Sequence, residues 1–230
     1  MTHVVGETAR LDPPLIPEIT ENVYGSWEDI RLLEEFRPWL AGVSFKDFVQ
    51  PPKGHKPPRD LSDYSLTSLV YDEPGVGTDM MAGYSFTWPE DVQRTADVEV
   101  YLDTSIGIGM TYKGRLVGVA AAALVAGSVL RIEQLQGVAG RCTTDEERRE
   151  SGLYGGFHWR DTLVNAWAGF ARHRDIKVLG ILGAANNMWL TEDFHGKPPI
   201  TEDMLKTSYD HVAQRMGFVQ EHDGNWYVKL

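Results

Sequence analysis

Residues 107–140 read GIGMTYKGRLVGVAAAALVAGSVLRIEQLQGVAG, and this stretch decides the fold of the 230-residue chain. It contains two apolar runs, residues 116–125 and residues 129–138, with the turn-forming residues 126–128 between them. Apolar runs of this length, separated by short turns, are typical of neighbouring antiparallel strands in a buried sheet. The sequence therefore predicts a β-meander in this region.

An amphipathic helix and another strand follow the meander. Between residues 157 and 173, apolar residues recur at helical spacing: Trp159, Leu163, Trp167 and Phe170. Residues 176–182 form the next apolar run, and a strand–helix–strand order is a crossover that joins parallel strands. We therefore predict an α/β (α+β) fold with a mixed, mostly antiparallel sheet. In this sheet, residues 129–137 and 176–182 form one parallel pair that splays apart, connected by the crossover helix.

The first 60 residues differ in pattern from the rest of the chain. Residues 27–48 have helical periodicity, and residues 50–60 (QPPKGHKPPRD) contain four prolines. Proline disfavours helix interiors and central strands, so the second segment reads as an extended connection. We interpret residues 1–60 as an N-terminal extension and residues 61–230 as the main domain.

The composition restricts the class of partner. With 33 acidic and 22 basic residues the net charge is −11, and such a field repels the phosphate backbone of nucleic acids. No apolar run approaches the roughly 20 residues that cross a bilayer, and the N-terminal residues lack a signal pattern. The single cysteine, Cys142, excludes an internal disulfide and a cysteine-based metal cluster. We expect a cytoplasmic protein without nucleic-acid, membrane or metal binding.

The order of predicted elements over residues 97–230 resembles the GNAT-type N-acyltransferase superfamily. The chain ends in SYDHVAQRMGFVQEHDGNWYVKL, residues 208–230, which is similar to the final helix and strand pair of that superfamily. The resemblance implies that the protein uses an acyl-CoA as co-substrate, either acetyl-CoA or another acyl donor. It also implies an amine acceptor, which is either a small molecule or a protein.

Two segments compete for the pyrophosphate-binding loop that the resemblance implies, of the form Gln/Arg-x-x-Gly-x-Gly/Ala. Residues 134–139 fit its letters and directly follow the predicted strand. Their cofactor-binding candidates are Gln134, Gln136, Gly137, Val138 and Ala139. Residues 151–156 lie at the predicted start of the helix, where backbone N–H groups suit an anion. Their candidates are Gly152, Gly155 and Gly156. The alternative in both cases is a glycine loop that only turns the chain.

Glu133 lies on the predicted central strand, immediately before the first of these segments. Many members of the superfamily have a glutamate on this strand that acts as general base for the incoming amine, so the resemblance implies this catalytic role for Glu133. Strand alternation predicts two faces: Arg131, Glu133 and Leu135 on one, and Ile132, Gln134 and Gln136 on the other. The alternative is a structural ion pair between Arg131 and Glu133.

The last helix carries the candidate general acid. The superfamily often has a tyrosine four residues before the glycine of a Gly-Phe pair, and that position is Ala213 in this chain. Tyr209, one helical turn earlier on the same face, is the candidate replacement, with a core tyrosine as the alternative. The resemblance also implies that Asn187, at the end of the second parallel strand, contacts the pantetheine arm of CoA. The alternative is an Asx-turn at Asn186 or Asn187.

Two other functions are compatible with this fold. One is an enzyme that modifies a nucleobase or uses an aminoacyl donor. The other is a non-catalytic module that binds a partner protein. Ala213 and the acidic insertion at residues 143–150 favour this module, because negative charge beside a phosphate site is unfavourable. Binding of coenzyme A distinguishes the transferase from the module.

Overall fold

The computed structural model describes residues 27–51, 54, 60–70, 104, 106–125, 128–137, 157–187, 190 and 200–230. The strands in these ranges are β1 (Tyr64–Val70), β2 (Ile106–Tyr112), β3 (Arg115–Val125), β4 (Val129–Gly137), β5 (Val178–Ile181), β6 (Val219–Gln220) and β7 (Trp226–Lys229). They form one sheet in the order β1-β2-β3-β4-β5-β7-β6. The helices are α1 (Trp27–Ala41), α2 (Trp159–His173), α3 (Glu202–Ser208) and α4 (Asp210–Arg215), with 3-10 turns at Phe45–Asp47 and Ala184–Asn186.

The sheet contains a parallel pair of strands where the sequence predicts it. β4 and β5 are parallel, from Val129 opposite Val178 to Ile132 opposite Ile181. The other five pairs of neighbouring strands are antiparallel. Helix α2 connects β4 to β5 in the chain and packs against the sheet. The predicted mixed, mostly antiparallel sheet with one parallel pair and a crossover helix is therefore confirmed.

Helix α2 is held on the sheet by two tryptophans and a leucine. Trp159, Leu163 and Trp167 are buried, as their spacing predicts. The indole Nε1 of Trp167 donates to the carbonyl oxygen of Ala120 at 3.1 Å, so the polar atom of the ring is satisfied inside the core. Gly118 provides the space for Trp159, since a Cβ at this position would lie 2.6 Å from the indole ring.

Helix α1 shares the same hydrophobic core. Leu32, Phe36 and Leu40 are buried, and their four-residue spacing places them on one side of the helix. Phe36 stacks on Trp167 with ring centroids 5.1 Å apart. Most of the proline-rich connection, residues 52–53 and 55–59, lies outside the described residues. None of the helices in the described ranges has the length and hydrophobicity that a membrane-spanning helix needs.

A β-bulge interrupts the alternation of β4. Ala122 of β3 lies opposite Ile132, whereas the adjacent Ala121 lies opposite Gln134. Glu133 is therefore an extra residue on β4, which is the defining feature of a bulge. Bulges bend a strand and redirect its side chains, and this one lies next to the end of the parallel pairing.

The bulge changes which residues share a face. Leu135 belongs to the main hydrophobic core together with Ile132, because the extra residue shifts the alternation by one position. The prediction that Leu135 lies on one face with Arg131 and Glu133 is therefore wrong.

Candidate active site

The parallel pairing of β4 and β5 stops before β4 ends, and this leaves a gap between the two strands. The last paired residues are Ile132 and Ile181, and one further hydrogen bond joins the Leu182 N–H to the Ile132 carbonyl oxygen at 2.9 Å. β4 continues to Gly137 beside β3, whereas β5 ends at Ile181. From Glu133 onward, no strand in the described ranges pairs with the side of β4 that faced β5. Backbone groups on that side are therefore available to side chains or ligands.

Tyr209 places its hydroxyl group at this gap. The residue joins α3 to α4: its N–H donates to the Leu205 carbonyl oxygen at 2.8 Å, and its own carbonyl accepts from the Ala213 N–H at 2.9 Å. The hydroxyl oxygen accepts a hydrogen bond from the backbone N–H of Leu135 at 3.1 Å. The ring of Tyr209 packs in the main core, so the residue is a core tyrosine whose polar tip reaches β4.

Glu133 lies at the beginning of the gap and is 6% exposed. The Nε of Arg131 donates to its Oε1 at 2.7 Å, so the ion pair that the sequence offers as an alternative is present. Burial raises the pKa of Glu133, and the charge and hydrogen bond of Arg131 oppose that rise. A buried carboxylate with an increased proton affinity is suited to accept a proton near neutral pH.

Arg160, in the first turn of α2, is a half-buried cation close to the same helices. Its Nη2 donates to Ser208 Oγ at 3.3 Å, and its guanidinium lies 4.3 Å from the centre of the Trp159 ring. Among the described residues, the Nε of Arg160 is a buried atom without a hydrogen-bond partner, and burial lowers the pKa of Arg160. The neighbouring Asp161 is bound instead by Arg215, with Nε and Oδ2 3.0 Å apart. Within the described part of the chain, Arg160 therefore has no carboxylate partner.

Arg160 is not among the candidates from the sequence, although one signal points to it. A cation in the first turn of a helix opposes the helix dipole, so an arginine there needs another explanation. His158, the N-cap of α2, makes no side-chain capping hydrogen bond, which leaves N–H groups of the first turn for other acceptors. Together these groups form a positive region that suits an anion.

Three of the predicted cofactor-binding residues belong to β4. Gln134, Gln136 and Gly137 pair with β3, so they are strand residues and not loop residues. Gln134 is buried, and its side-chain amide donates to Oε1 of Gln136 at 2.9 Å. The other candidates from the two glycine-bearing segments lie outside the described residues: Val138, Ala139, Gly152, Gly155 and Gly156.

The two asparagines after β5 differ in their surroundings. Asn187 is 2% exposed, and its backbone N–H donates to the Ala184 carbonyl oxygen at 3.2 Å. The side-chain amide of Asn186 instead donates to the Asp223 carbonyl oxygen at 2.7 Å and to Asn225 Oδ1 at 2.8 Å. Asn186 thus anchors the hairpin that precedes β7, and Asn187 is the buried asparagine at the carboxyl end of β5.

Comparison with protein-family models and with curated proteins finds no match to this chain. The chemistry of the gap therefore rests on three of its own features. They are the open side of β4, the Tyr209 hydroxyl on the Leu135 N–H, and the buried carboxylate of Glu133. A backbone donor of this kind is able to hold a developing oxyanion, a phenol to supply a proton, and a carboxylate to accept one.

Proposed function

We propose that this protein is an acyl-CoA-dependent N-acyltransferase of the GNAT type. The observation that carries the proposal is the hydrogen bond from the Leu135 N–H to the Tyr209 hydroxyl at the gap between β4 and β5. The Leu135 N–H lies two residues beyond Glu133 on β4. The phenolic proton of Tyr209 lies beside this backbone donor. The sheet order and the crossover helix agree with the superfamily that the sequence resembles.

The proposed reaction needs one base, one acid and one donor to the oxyanion. The acceptor nitrogen attacks the thioester carbonyl carbon, and the Leu135 N–H binds the carbonyl oxygen as negative charge develops on it. Glu133 takes the proton that the nitrogen loses. The carbon–sulfur bond then breaks, and Tyr209 gives its hydroxyl proton to the leaving thiolate. The products are an amide and free CoA, and the enzyme is restored when Glu133 releases its proton and Tyr209 regains one.

The acyl-CoA itself fits the positive region at the start of α2. Arg160 and the N–H groups of the first turn, which the His158 side chain does not cap, favour the phosphates of CoA. Asn187 at the carboxyl end of β5 is then our candidate for an amide contact to the pantetheine arm, which has to run along the open side of β4. The acceptor is an amine of a small molecule or of a protein.

A non-catalytic module that binds a partner is the competing proposal. The ion pair between Arg131 and Glu133 favours it, because a carboxylate that is engaged by a guanidinium is a weaker base. Turnover, and not CoA binding alone, is therefore the decisive measurement.

The experiment compares the full-length wild-type protein with Glu133→Gln, which keeps the shape of the side chain and removes the base. Calorimetry measures the affinity for CoA and acetyl-CoA, and release of free thiol measures turnover with a panel of amines. We expect Glu133→Gln to retain CoA affinity and to lose about 10²–10⁴-fold in rate. Glu202→Gln is the matched control, since Glu202 is an exposed residue of α3 that pairs with Lys206.

Two outcomes contradict the proposal at different points. Absence of CoA binding by the wild-type protein overturns the transferase and leaves the non-catalytic module. Full activity of Glu133→Gln with a suitable amine removes Glu133 from the reaction but retains the transferase.

A further inference from the structure

Arg131 and Tyr227 form a polar contact on the face of the sheet opposite α2. Leu179 and Ile181 of β5 belong to the main core with α2, so Gly180 between them faces the other side. A Cβ at Gly180 would lie 2.8 Å from Cε1 of Tyr227 and 3.0 Å from Cγ of Arg131. The glycine therefore leaves the space in which these two side chains pack together.

Arg131 engages Glu133 by one carboxylate oxygen. Its Nε donates to Oε1 at 2.7 Å, and the two side chains are 12% and 7% exposed. No donor among the described residues binds Oε2 of Glu133. A carboxylate that is held at one oxygen by a rigid guanidinium has a defined orientation for the other.

Arg131 is in turn held from β7 and its hairpin. Its side chain packs beside the Tyr227 ring in the space that Gly180 leaves open, and the phenolic oxygen of Tyr227 helps to raise the pKa of Arg131. The Tyr227 hydroxyl donates to Oδ2 of Asp223 at 2.7 Å. Asn225 fixes this carboxylate through its backbone N–H, 3.0 Å from Oδ1, and its side-chain amide, 2.9 Å from Oδ2. Asp223 thus fixes Tyr227, Tyr227 packs beside Arg131, and Arg131 holds the Glu133 carboxylate.

The protonation states of Tyr227 and Asp223 are consistent with this series of contacts. Burial and the hydrogen bond to Asp223 raise the pKa of Tyr227 to about 12, so the phenol stays neutral. Burial acts to raise the pKa of Asp223, but the hydrogen bonds from Tyr227 and Asn225 outweigh it and lower that pKa. Near neutral pH, Asp223 therefore remains an ionised acceptor that holds the Tyr227 hydroxyl.

We propose that Arg131 is a positioning residue for the acyl transfer proposed above. Held by Tyr227 and Asp223, it keeps the Glu133 carboxylate fixed at Oε1 and leaves Oε2 to receive the proton of the acceptor amine. This role rests on the proposed function, because it has meaning only where Glu133 acts as a base. In this role the Arg131–Glu133 ion pair orients the base for catalysis. The non-catalytic module instead interprets the same ion pair as weakening the base.

Few other charges face Glu133 from the described elements around it. On β3 the residues at the bulge are Ala121 and Ala122, and the β5 residue opposite Arg131 is the uncharged Gly180. β7 and its hairpin contribute Tyr227 and Asp223, which act through Arg131. Tyr209 contributes its hydroxyl further along the open side of β4. Arg131 is therefore the cation in this set that opposes the rise in the pKa of Glu133.

The test uses the full-length protein as wild type, Arg131→Gln, Arg131→Lys and Tyr227→Phe. Carbon-13 NMR of labelled glutamate carboxyls measures the pKa of Glu133, with Glu133→Gln to assign the signal. In Arg131→Gln we expect this pKa to rise by roughly one to three units, and the acid limb of the kcat profile to move with it. Arg131→Lys keeps the positive charge, so the pKa of Glu133 stays near the wild-type value. It loses the planar guanidinium that orients the carboxylate, so kcat falls about 10²-fold.

Tyr227→Phe separates the position of Arg131 from its charge. We expect this variant to keep the pKa of Glu133 and the Kd for acetyl-CoA within about twofold, and to lower kcat by about tenfold, because a small misplacement of the base is costly. Arg131→Gln/Glu133→Gln removes both charges and serves as the folding control if Arg131→Gln is unstable. Arg131→Lys and Tyr227→Phe then carry the test.

The outcomes distinguish this role from the proposed function. Absence of acetyl-CoA binding and turnover in the wild-type protein overturns both. Turnover in the wild type, with wild-type kcat in Arg131→Lys and Tyr227→Phe, overturns the positioning role alone. An unchanged Glu133 pKa in folded Arg131→Gln also overturns it.

Discussion

The hydroxyl oxygen of Tyr209 accepts a hydrogen bond from the backbone N–H of Leu135, 74 residues earlier in the chain, at 3.1 Å. Leu135 lies beyond the last β4–β5 pair, Ile132 with Ile181, so its N–H has no ladder partner on that side among the described strands. The phenol therefore occupies the acceptor position beside this N–H. In the proposed reaction a thioester displaces the hydroxyl from this N–H, and the same hydroxyl then lies beside the sulfur.

Tyr209→Phe tests this exchange directly. Removal of the hydroxyl leaves the buried Leu135 N–H without its acceptor, and we expect the free energy of unfolding to fall by about 1–3 kcal/mol. Because the thioester no longer competes with the phenol, the Kd for acetyl-CoA should be equal to or lower than that of the wild type. Loss of the general acid should lower kcat by about 10²–10⁴-fold. Urea melts, calorimetry and thiol release measure the three quantities.

Tyr112→Phe is the control for this variant, since Tyr112 is a partly buried tyrosine of β2 on the far side of β3 from β4. It should retain wild-type kcat and Kd. A weaker Kd for acetyl-CoA in Tyr209→Phe would show that the hydroxyl binds the ligand instead of competing with it.

Trp167→Ala tests the attachment of α2 to the sheet. Trp167 is 0% exposed, stacks on Phe36 and donates to the Ala120 carbonyl oxygen. Its removal leaves a large cavity and deletes this hydrogen bond, so we expect a loss of about 3–5 kcal/mol in unfolding free energy. Met204→Ala is the control, because Met204 is 58% exposed and its loss should change stability by less than about 0.5 kcal/mol. Similar urea midpoints for the two variants would contradict the packing.

The parallel pair and its crossover helix were predictable because they depend on local pattern. The apolar run of β4, the helical spacing of Trp159 and Trp167, and the apolar run of β5 each determine one element. Their order then leaves parallel pairing as the usual connection. Burial of α2 against the sheet follows from the same spacing.

The bulge at Glu133 was not predictable from β4 alone. The position of the bulge depends on the register between β4 and β3. The β3 residues opposite it, Ala121 and Ala122, are identical, so the sequence does not indicate where the register shifts. The face to which Leu135 belongs was predicted wrongly for this reason. Sequence alternation assumes a regular strand, and it fails where an extra residue is inserted.

The contacts around the candidate site were also hidden, because they join distant segments. Arg131 meets Tyr227 from the last strand, and the Tyr209 hydroxyl meets Leu135 through a gap that exists only in the folded sheet. The resemblance to the GNAT superfamily marked Glu133 and Tyr209 as candidates, but it contained no information on the groups they contact in this chain. Arg160 was marked only by its unfavourable position at a helix start.

Gly183→Ala probes the turn that ends β5. A Cβ at Gly183 would lie 2.0 Å from the carbonyl oxygen of Gly224, a backbone atom that moves only with the hairpin before β7. The Gly183 N–H also donates to Asn225 Oδ1 at 2.9 Å. We expect a loss of about 1–3 kcal/mol in unfolding free energy from this overpacking. Gly42→Ala is the matched control, because its nearest atom would be 3.5 Å away, and equal melts for the two variants would contradict the close approach.

The pH dependence of stability tests the buried contact between Tyr227 and Asp223. Burial and the hydrogen bond to Asp223 raise the pKa of Tyr227 to about 12, whereas an unfolded tyrosine ionises near about pH 10. The folded state therefore binds its proton more tightly than the unfolded state does. The resulting stabilisation is fully present below about pH 10 and is lost as the pH rises towards about 12.

In Tyr227→Phe this titration is absent, so we expect its unfolding free energy to decline less steeply than that of the wild type between about pH 10 and pH 12. Urea melts at several pH values in this window measure both declines, and Tyr112→Phe controls for the general effect of removing one phenol. Parallel declines in the wild type and Tyr227→Phe would mean that the Tyr227 phenol has the same pKa in the folded and the unfolded protein. The hydrogen bond to Asp223, 2.7 Å long, then could not be what holds Tyr227 neutral beside Arg131.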